Sequence, residues 1–193
     1  MSQYEEPGYS LVASFDNFEI RSYETSIMAI TQRSSSNYQG SSGGFQIIAN
    51  YIFGGNKSSQ RIAMTAPVHI WNESSGTPKL AFTMPSQYSL NELPQPNDSR
   101  VKLCVNEGSL IAVLKFSGLA GNAKTQRLIS KFESILSDQG IEIVGDAKLA
   151  IYDNPWSTLP FARRNEIQIP VNFEDQIILD RLLAPHQLLR LRI

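Results

Sequence analysis

A chain of 193 residues suits one domain or two small fused halves, and its 17 Lys+Arg against 18 Asp+Glu leave a formal net charge of -1. That balance excludes the broad basic field that holds a nucleic-acid backbone or an anionic membrane. Hydrophobic residues at 41% and charged residues at 18% provide a core and rule out a disordered chain, while the single cysteine, Cys104, excludes an intramolecular disulfide and a cysteine zinc cluster.

Sparse cysteine fits a reducing, cytoplasmic setting. The first thirty residues carry no cationic stretch leading into an apolar run, and no segment approaches the roughly 20 apolar residues of a membrane span. The expectation is a soluble cytoplasmic protein.

Phe18 to Tyr23 alternates with the period of a half-buried strand, and Ser26 to Ile30 follows after Glu24-Thr25, which predicts a hairpin. Ser34 to Gly44 is almost all Ser, Gly, Asn and Gln and reads as a mobile loop. Phe45, Ile48, Ala49 and Ile52 then share one helical face, ended by Gly54-Gly55. Val68 to Trp71 and Lys79 to Met84 read as strands joined by the turn cluster Asn72 to Pro78.

The second half repeats this order. Val101 to Val105 and Ser109 to Phe116 predict another hairpin around Asn106-Glu107-Gly108. A helix over about 123–139 places Leu128, Phe132, Ile135 and Leu136 on one face and stops at Gly140, and strands follow at 147–152 and 166–171. Residues 18–30 laid over 101–113 match Glu24 with Glu107, Ser26 with Ser109 and Ala29 with Ala112. Matching residues and matching element order point to an internal duplication, about 18–85 and 101–171. The predicted fold is α+β: two pseudo-symmetric ββαββ units forming a distorted antiparallel barrel with two flanking helices. Residues 172–193 break the pattern and form an apolar extension, either docked on the body or free to bind a partner or a second copy.

Catalytic signatures are missing: there is no G-x-S-x-G, H-E-x-x-H, C-x-x-C or G-x-G-x-x-G. Gly54 to Ser58 resembles a phosphate loop but follows a helix and lacks the Gly before Lys57. His69 shares a strand face with Trp71; it is either a hydrogen-bonded strand histidine or an iron ligand. Cys104 reads as a small filler residue, although a thiolate could ligate iron, and His186 reads as structural. Tyr152 to Trp156 and Pro160 to Glu166 form a Pro-punctuated aromatic loop ending in Arg163-Arg164. Rings beside guanidinium groups suit a flat apolar ligand with carboxylate tails, unless the arginines simply pair with Glu166 or neighbouring acids.

Phe18-Glu19-Ile20-Arg21-Ser22-Tyr23, Met64-Thr65-Ala66-Pro67-Val68, Phe82-Thr83-Met84-Pro85-Ser86, Tyr152 to Trp156 and Arg163-Arg164-Asn165-Glu166-Ile167 together resemble the SOUL, or haem-binding protein, family, over about residues 5–171. The resemblance implies the same two-unit barrel and non-enzymatic binding of haem or a related tetrapyrrole, not covalently attached, in an apolar groove by the first helix. By position that groove would use Phe45, Ile48, Tyr51, Ile52 and Met64, with Trp156 and Phe161 from the aromatic loop. Arg163 and Arg164 would hold propionates, with Lys57 and Arg61 as helpers. Some members are thought to ligate iron through a histidine where this chain has Ser22, so either His69 substitutes or binding proceeds without a strong axial bond. Rival expectations are an effector-type module for other flat hydrophobic compounds and a protein-interaction role of residues 172–193.

Overall fold

Period-2 segments become strands and the two segments of helical spacing become helices in the computed structural model, which describes residues 4–38, 42–153 and 158–173. In chain order the elements are β1 (Tyr9–Ser14), β2 (Glu19–Tyr23), β3 (Ser26–Gln32), α1 (Ser42–Ile52), β4 (Val68–Asn72), β5 (Pro78–Thr83), β6 (Lys102–Asn106) and β7 (Ser109–Ser117). They continue as α2 (Asn122–Asp138), β8 (Glu142–Ile143), β9 (Lys148–Ile151), a single 3-10 turn at Pro160–Ala162 and β10 (Arg164–Asn172). The strands form one antiparallel sheet in the order β1-β2-β7-β10-β9-β4-β5-β3-β6, with β8 added on β10. The barrel expected from sequence is an open half-barrel, with β1 and β6 at its edges.

Alternation sorts the sheet into two faces. Ile20, Ala29, Ile70, Leu80, Phe82, Leu149, Ile167 and Ile169 point to the helices and meet Ile48, Tyr51 and Ile52 of α1 and Phe132 and Leu136 of α2 in the main core. At roughly 25 cal/mol per Å2 of apolar area this burial is the main source of stability. Met28, Trp71 and Ala81 form a smaller cluster on the other face, against Ile30 and Cys104. Cys104 thus fills space.

Neither predicted hairpin around a short linker forms. β2 pairs with β1 and β7, and β3 pairs with β5 and β6, so β2 and β3 part company at Glu24-Thr25; β6 and β7 separate likewise at Glu107-Gly108. Neither linker takes the positive φ of the primed turns that most often close two-residue hairpins, Gly108 included. Each linker instead carries the chain from one side of the half-barrel to the other, and the two cross in contact: Gly108 N–H donates to Thr25 Oγ1 at 3.4 Å. The tight hairpins that do form join β1 to β2 through Asp16-Asn17, where Phe15 N–H donates to Phe18 O at 2.9 Å, and β4 to β5, where Gly76 takes φ 85°.

β1 and β8 were not anticipated. The side chains of β1 are mostly exposed, so no buried face marks it, and β8 has only two residues. Helix α1 begins at Ser42, inside the expected loop, of which residues 39–41 lie outside the described residues. Beyond α1, Gly54 takes φ 110° and Gly55 N–H donates to Asn50 O at 2.8 Å, closing the helix. Buried Asn56 then clamps the next loop, donating to Tyr51 O and Gln60 O and accepting from Gln60 N–H. The N–H of Lys57 is used by Gln95 O, so the phosphate-loop lookalike is a structural turn. Among the described residues no helix is long and apolar enough to cross a membrane.

Candidate functional site

The residues implied by the resemblance fall into three groups. Ile48, Tyr51 and Ile52 are at most 1% exposed within the main core, and Tyr51 Oη donates to Pro94 O at 2.9 Å. A ligand reaches these three only by displacing their neighbours. Phe45 and Met64 are half-buried, Phe45 against Phe82 with ring centroids 5.4 Å apart, and both offer some apolar surface. Lys57 and Arg61 are exposed on the loop after α1, and Phe161, 75% exposed, projects from the 3-10 turn beside β7. Trp156 lies outside the described residues, as do His186 and most of the C-terminal extension.

Register explains which of these meet. Val68 pairs with Ile151, so the loop leading into β4 and the loop leaving β9 emerge at one end of the half-barrel. Residues 5 and 6 link the two: Ala66 N–H donates to Glu5 O at 2.9 Å, and Arg164 pairs with Glu6 at 2.6 Å. Arg164 also stacks its guanidinium 3.7 Å over the Tyr152 ring, and Arg163 Nε donates to Thr158 O at 3.1 Å. The acid partner of Arg164 is therefore Glu6, and Glu166 has a different one.

That partner is Arg21, buried on the sheet face away from the helices. Its Nη1 lies 3.2 Å from Glu166 Oε1 and donates to Tyr23 Oη at 3.0 Å, while Nη2 reaches Glu19 at 2.7 Å. Tyr152 Oη donates to Glu166 Oε2 at 2.6 Å, Gln168 Nε2 donates to the same oxygen at 2.8 Å, and Gln168 Oε1 lies 3.1 Å from His69 Nε2. Burial pushes the Tyr23 hydroxyl up to about 12 and, with the Glu166 charge, raises Tyr152 further, so both stay protonated. Burial pushes His69 down to about 4, with the Lys148 charge adding to the effect, so the ring is neutral at pH 7. Its Nδ1 is buried and has no hydrogen-bond partner among the described residues. The sequence offers Glu166 as an acid for Arg163 or Arg164 and marks Arg21, Tyr23 and Gln168 only as strand residues; period-2 spacing puts all four on one face, but their pairing across β7 is not local.

A cleft of about 850 Å3 opens at the other end of the half-barrel, within the ~300–1,000 Å3 common for small-molecule sites. Ile30, Ile47 and Trp71 supply apolar surface, and Arg33, Lys79, Arg100 and Lys102 supply charge. Pairing of Gln32 with Lys79 and Ile30 with Lys102 brings these cations together. A second cleft of about 530 Å3 has the opposite character: Glu133 and Asp146 line it and no cation does. Among the described residues no group of His, Cys, Asp and Glu is arranged to hold a metal ion.

Solved structures with this fold are distant in sequence. The C-terminal domain of EcmrR is 10% identical, with 86% of this chain and 99% of that chain covered at a TM-score of 0.64. A hydrolase from Listeria innocua is 13% identical over 83% of this chain and 94% of its own, TM-score 0.54. SAV2435, solved bound to tetraphenylphosphonium, is 12% identical over 85% and 96%, TM-score 0.51. At such identities the likeness is one of fold. No curated protein sequence matches the chain. The family model described as SOUL heme-binding protein matches residues 4–170, and the chain belongs to that family.

Proposed function

We propose that this protein binds haem or a related tetrapyrrole reversibly and without turnover, as a carrier, buffer or sensor. The observation that carries this reading is the family match across residues 4–170. The residues present fit such a group: a flat apolar ring with two carboxylates needs apolar surface beside cations, and both ends of the half-barrel supply it. At one end the loop carrying Met64 lies by the loop carrying Arg163 and Arg164, joined through residues 5 and 6; at the other is the 850 Å3 cleft. His69 is a poor iron ligand here, because Nε2 faces Gln168, Nδ1 is buried, and the ring lies on the face opposite α1. Recognition therefore rests on ring contact and propionates. Titration with ferric haem should give a saturable shift of the Soret band, and a spectrum identical to that of free haem at every protein concentration would overturn the proposal.

The duplication read from sequence supports a common origin for the two halves. What favours it is that β2 and β3 exchange partners with β7 and β6, each unit running strand, strand, helix, strand, strand apart from the added β8. A second functional reading, a module for other flat hydrophobic compounds, is favoured by the tetraphenylphosphonium-bound neighbour. It predicts that this cation binds and competes with porphyrin. In this chain the buried carboxylate best placed to attract a cation, Glu166, is already neutralised by Arg21.

A further inference from the structure

The cationic cleft contains a feature that packing alone does not require. Arg33 is 2% exposed, and its hydrogen bonds go to neutral oxygens: Nε to Lys79 O at 2.9 Å, Nη1 to Asn37 O at 2.9 Å, and Nη2 to Trp71 O at 3.4 Å and Asn72 Oδ1 at 3.1 Å. No carboxylate among the described residues lies within ion-pair distance of it. Arginine keeps its proton in proteins, so among the described residues this buried positive charge has neutral acceptors and the Tyr38 ring, 5.9 Å away, but no counter-ion. A buried charge that is hydrogen-bonded but lacks a counter-ion is costly, and an anion seated in the cleft would offset that cost.

The remaining charges point the same way. Lys79, Arg100 and Lys102 line the cleft, while Glu73, its one acidic lining residue, is held by Lys79 at 3.6 Å. Arg100 shares Asp98 at 2.7 Å but is 67% exposed, and Lys102 has no ion-pair partner among the described residues. Gly44 lets α1 close on the arginine stem, since a Cβ there would lie 3.2 Å from Arg33 Cγ; at Gly43 a Cβ meets nothing within 4 Å, leaving the mouth open.

We propose that this cleft is the tetrapyrrole site, with the ring against Ile30, Ile47 and Trp71 and the propionates drawn to Lys102 and Arg100 above the buried Arg33. The inference rests on the tetrapyrrole reading above and adds where the ligand enters. The neighbouring acidic cleft would repel the same ligand.

The test titrates ferric haem and, separately, metal-free protoporphyrin into four proteins: the wild type, the double variant Arg100→Glu with Lys102→Glu, the steric variant Gly43→Phe, and Arg163→Ala with Arg164→Ala at the opposite end. Circular dichroism confirms that each is folded. The expected result is saturable binding by the wild type, affinity reduced roughly tenfold or more in both cleft variants, and a change within about twofold in the loop variant. Wild-type affinity in both cleft variants would overturn the cleft assignment and leave the tetrapyrrole reading standing. No binding by the wild type would overturn that reading and the cleft with it.

Discussion

Replacing Gly108 by Ala tests the crossing of the two linkers, the feature that distinguishes this topology from a pair of simple hairpins. A Cβ at residue 108 would lie 2.8 Å from Tyr23 O, 3.2 Å from Thr25 N and 3.3 Å from the carbonyl carbon of Glu24. All three are backbone atoms, of the other linker and of Tyr23 at the end of β2, so no side chain can rotate away to make room. Gly108 has no positive φ, and at such sites Gly→Ala ordinarily stabilises by about 0.4–1 kcal/mol through the unfolded chain. Here overpacking of about 1–3 kcal/mol opposes that gain, so a net loss of about 1–2 kcal/mol is expected. For a domain of this size each kcal/mol moves Tm by about 2–4 °C, giving a fall of roughly 2–8 °C. Scanning calorimetry reads it, with Gly43→Ala as the control: a Cβ there meets nothing within 4 Å and should raise Tm slightly. A Gly108→Ala protein at least as stable as the wild type would refute the close crossing.

Glu166→Gln leaves buried Arg21 with only the partly exposed Glu19 as an acid partner and should cost about 2–4 kcal/mol in urea unfolding; an unchanged midpoint would show that the pair contributes nothing. His69, held near 4 in the folded protein, binds its proton first in the unfolded chain, whose imidazole titrates near ~6.5. Stability is therefore full above that value and falls as pH drops from about 6.5 towards 4, by up to about 3 kcal/mol. His69→Gln should flatten the dependence between about pH 5 and 7, and an identical slope in the variant would contradict the assignment. Removing residues 174–193 should leave porphyrin affinity intact if the extension serves a partner, whereas lost affinity would tie it to the ligand.

Local signals in the sequence carried through to the structure, and non-local ones did not. The alternation in Phe18 to Tyr23 and the spacing of Phe45, Ile48 and Ile52 each reflect one element burying one face, which a short window contains. Strand partnership is set by closing long loops, and nothing within Glu24-Thr25 states that β2 will pair with β7 rather than β3. The cleft follows the same rule. Arg33, Lys79, Arg100 and Lys102 belong to segments with no common spacing and converge only because β3 lies between β5 and β6. One trace was visible: Arg33 is a lone charge between an apolar strand and a Ser-rich stretch without acids. Its burial, with no counter-ion among the described residues, could be seen only in three dimensions.

The central claim is that a tetrapyrrole binds through its ring and propionates with no axial bond from the protein. Isothermal calorimetry with ferric haem and with metal-free protoporphyrin, on wild type and His69→Ala, tests it most directly. The account predicts saturable binding of both compounds by both proteins with matching affinities. Binding of haem alone, abolished by His69→Ala, or heats no larger than dilution for either compound, would contradict it.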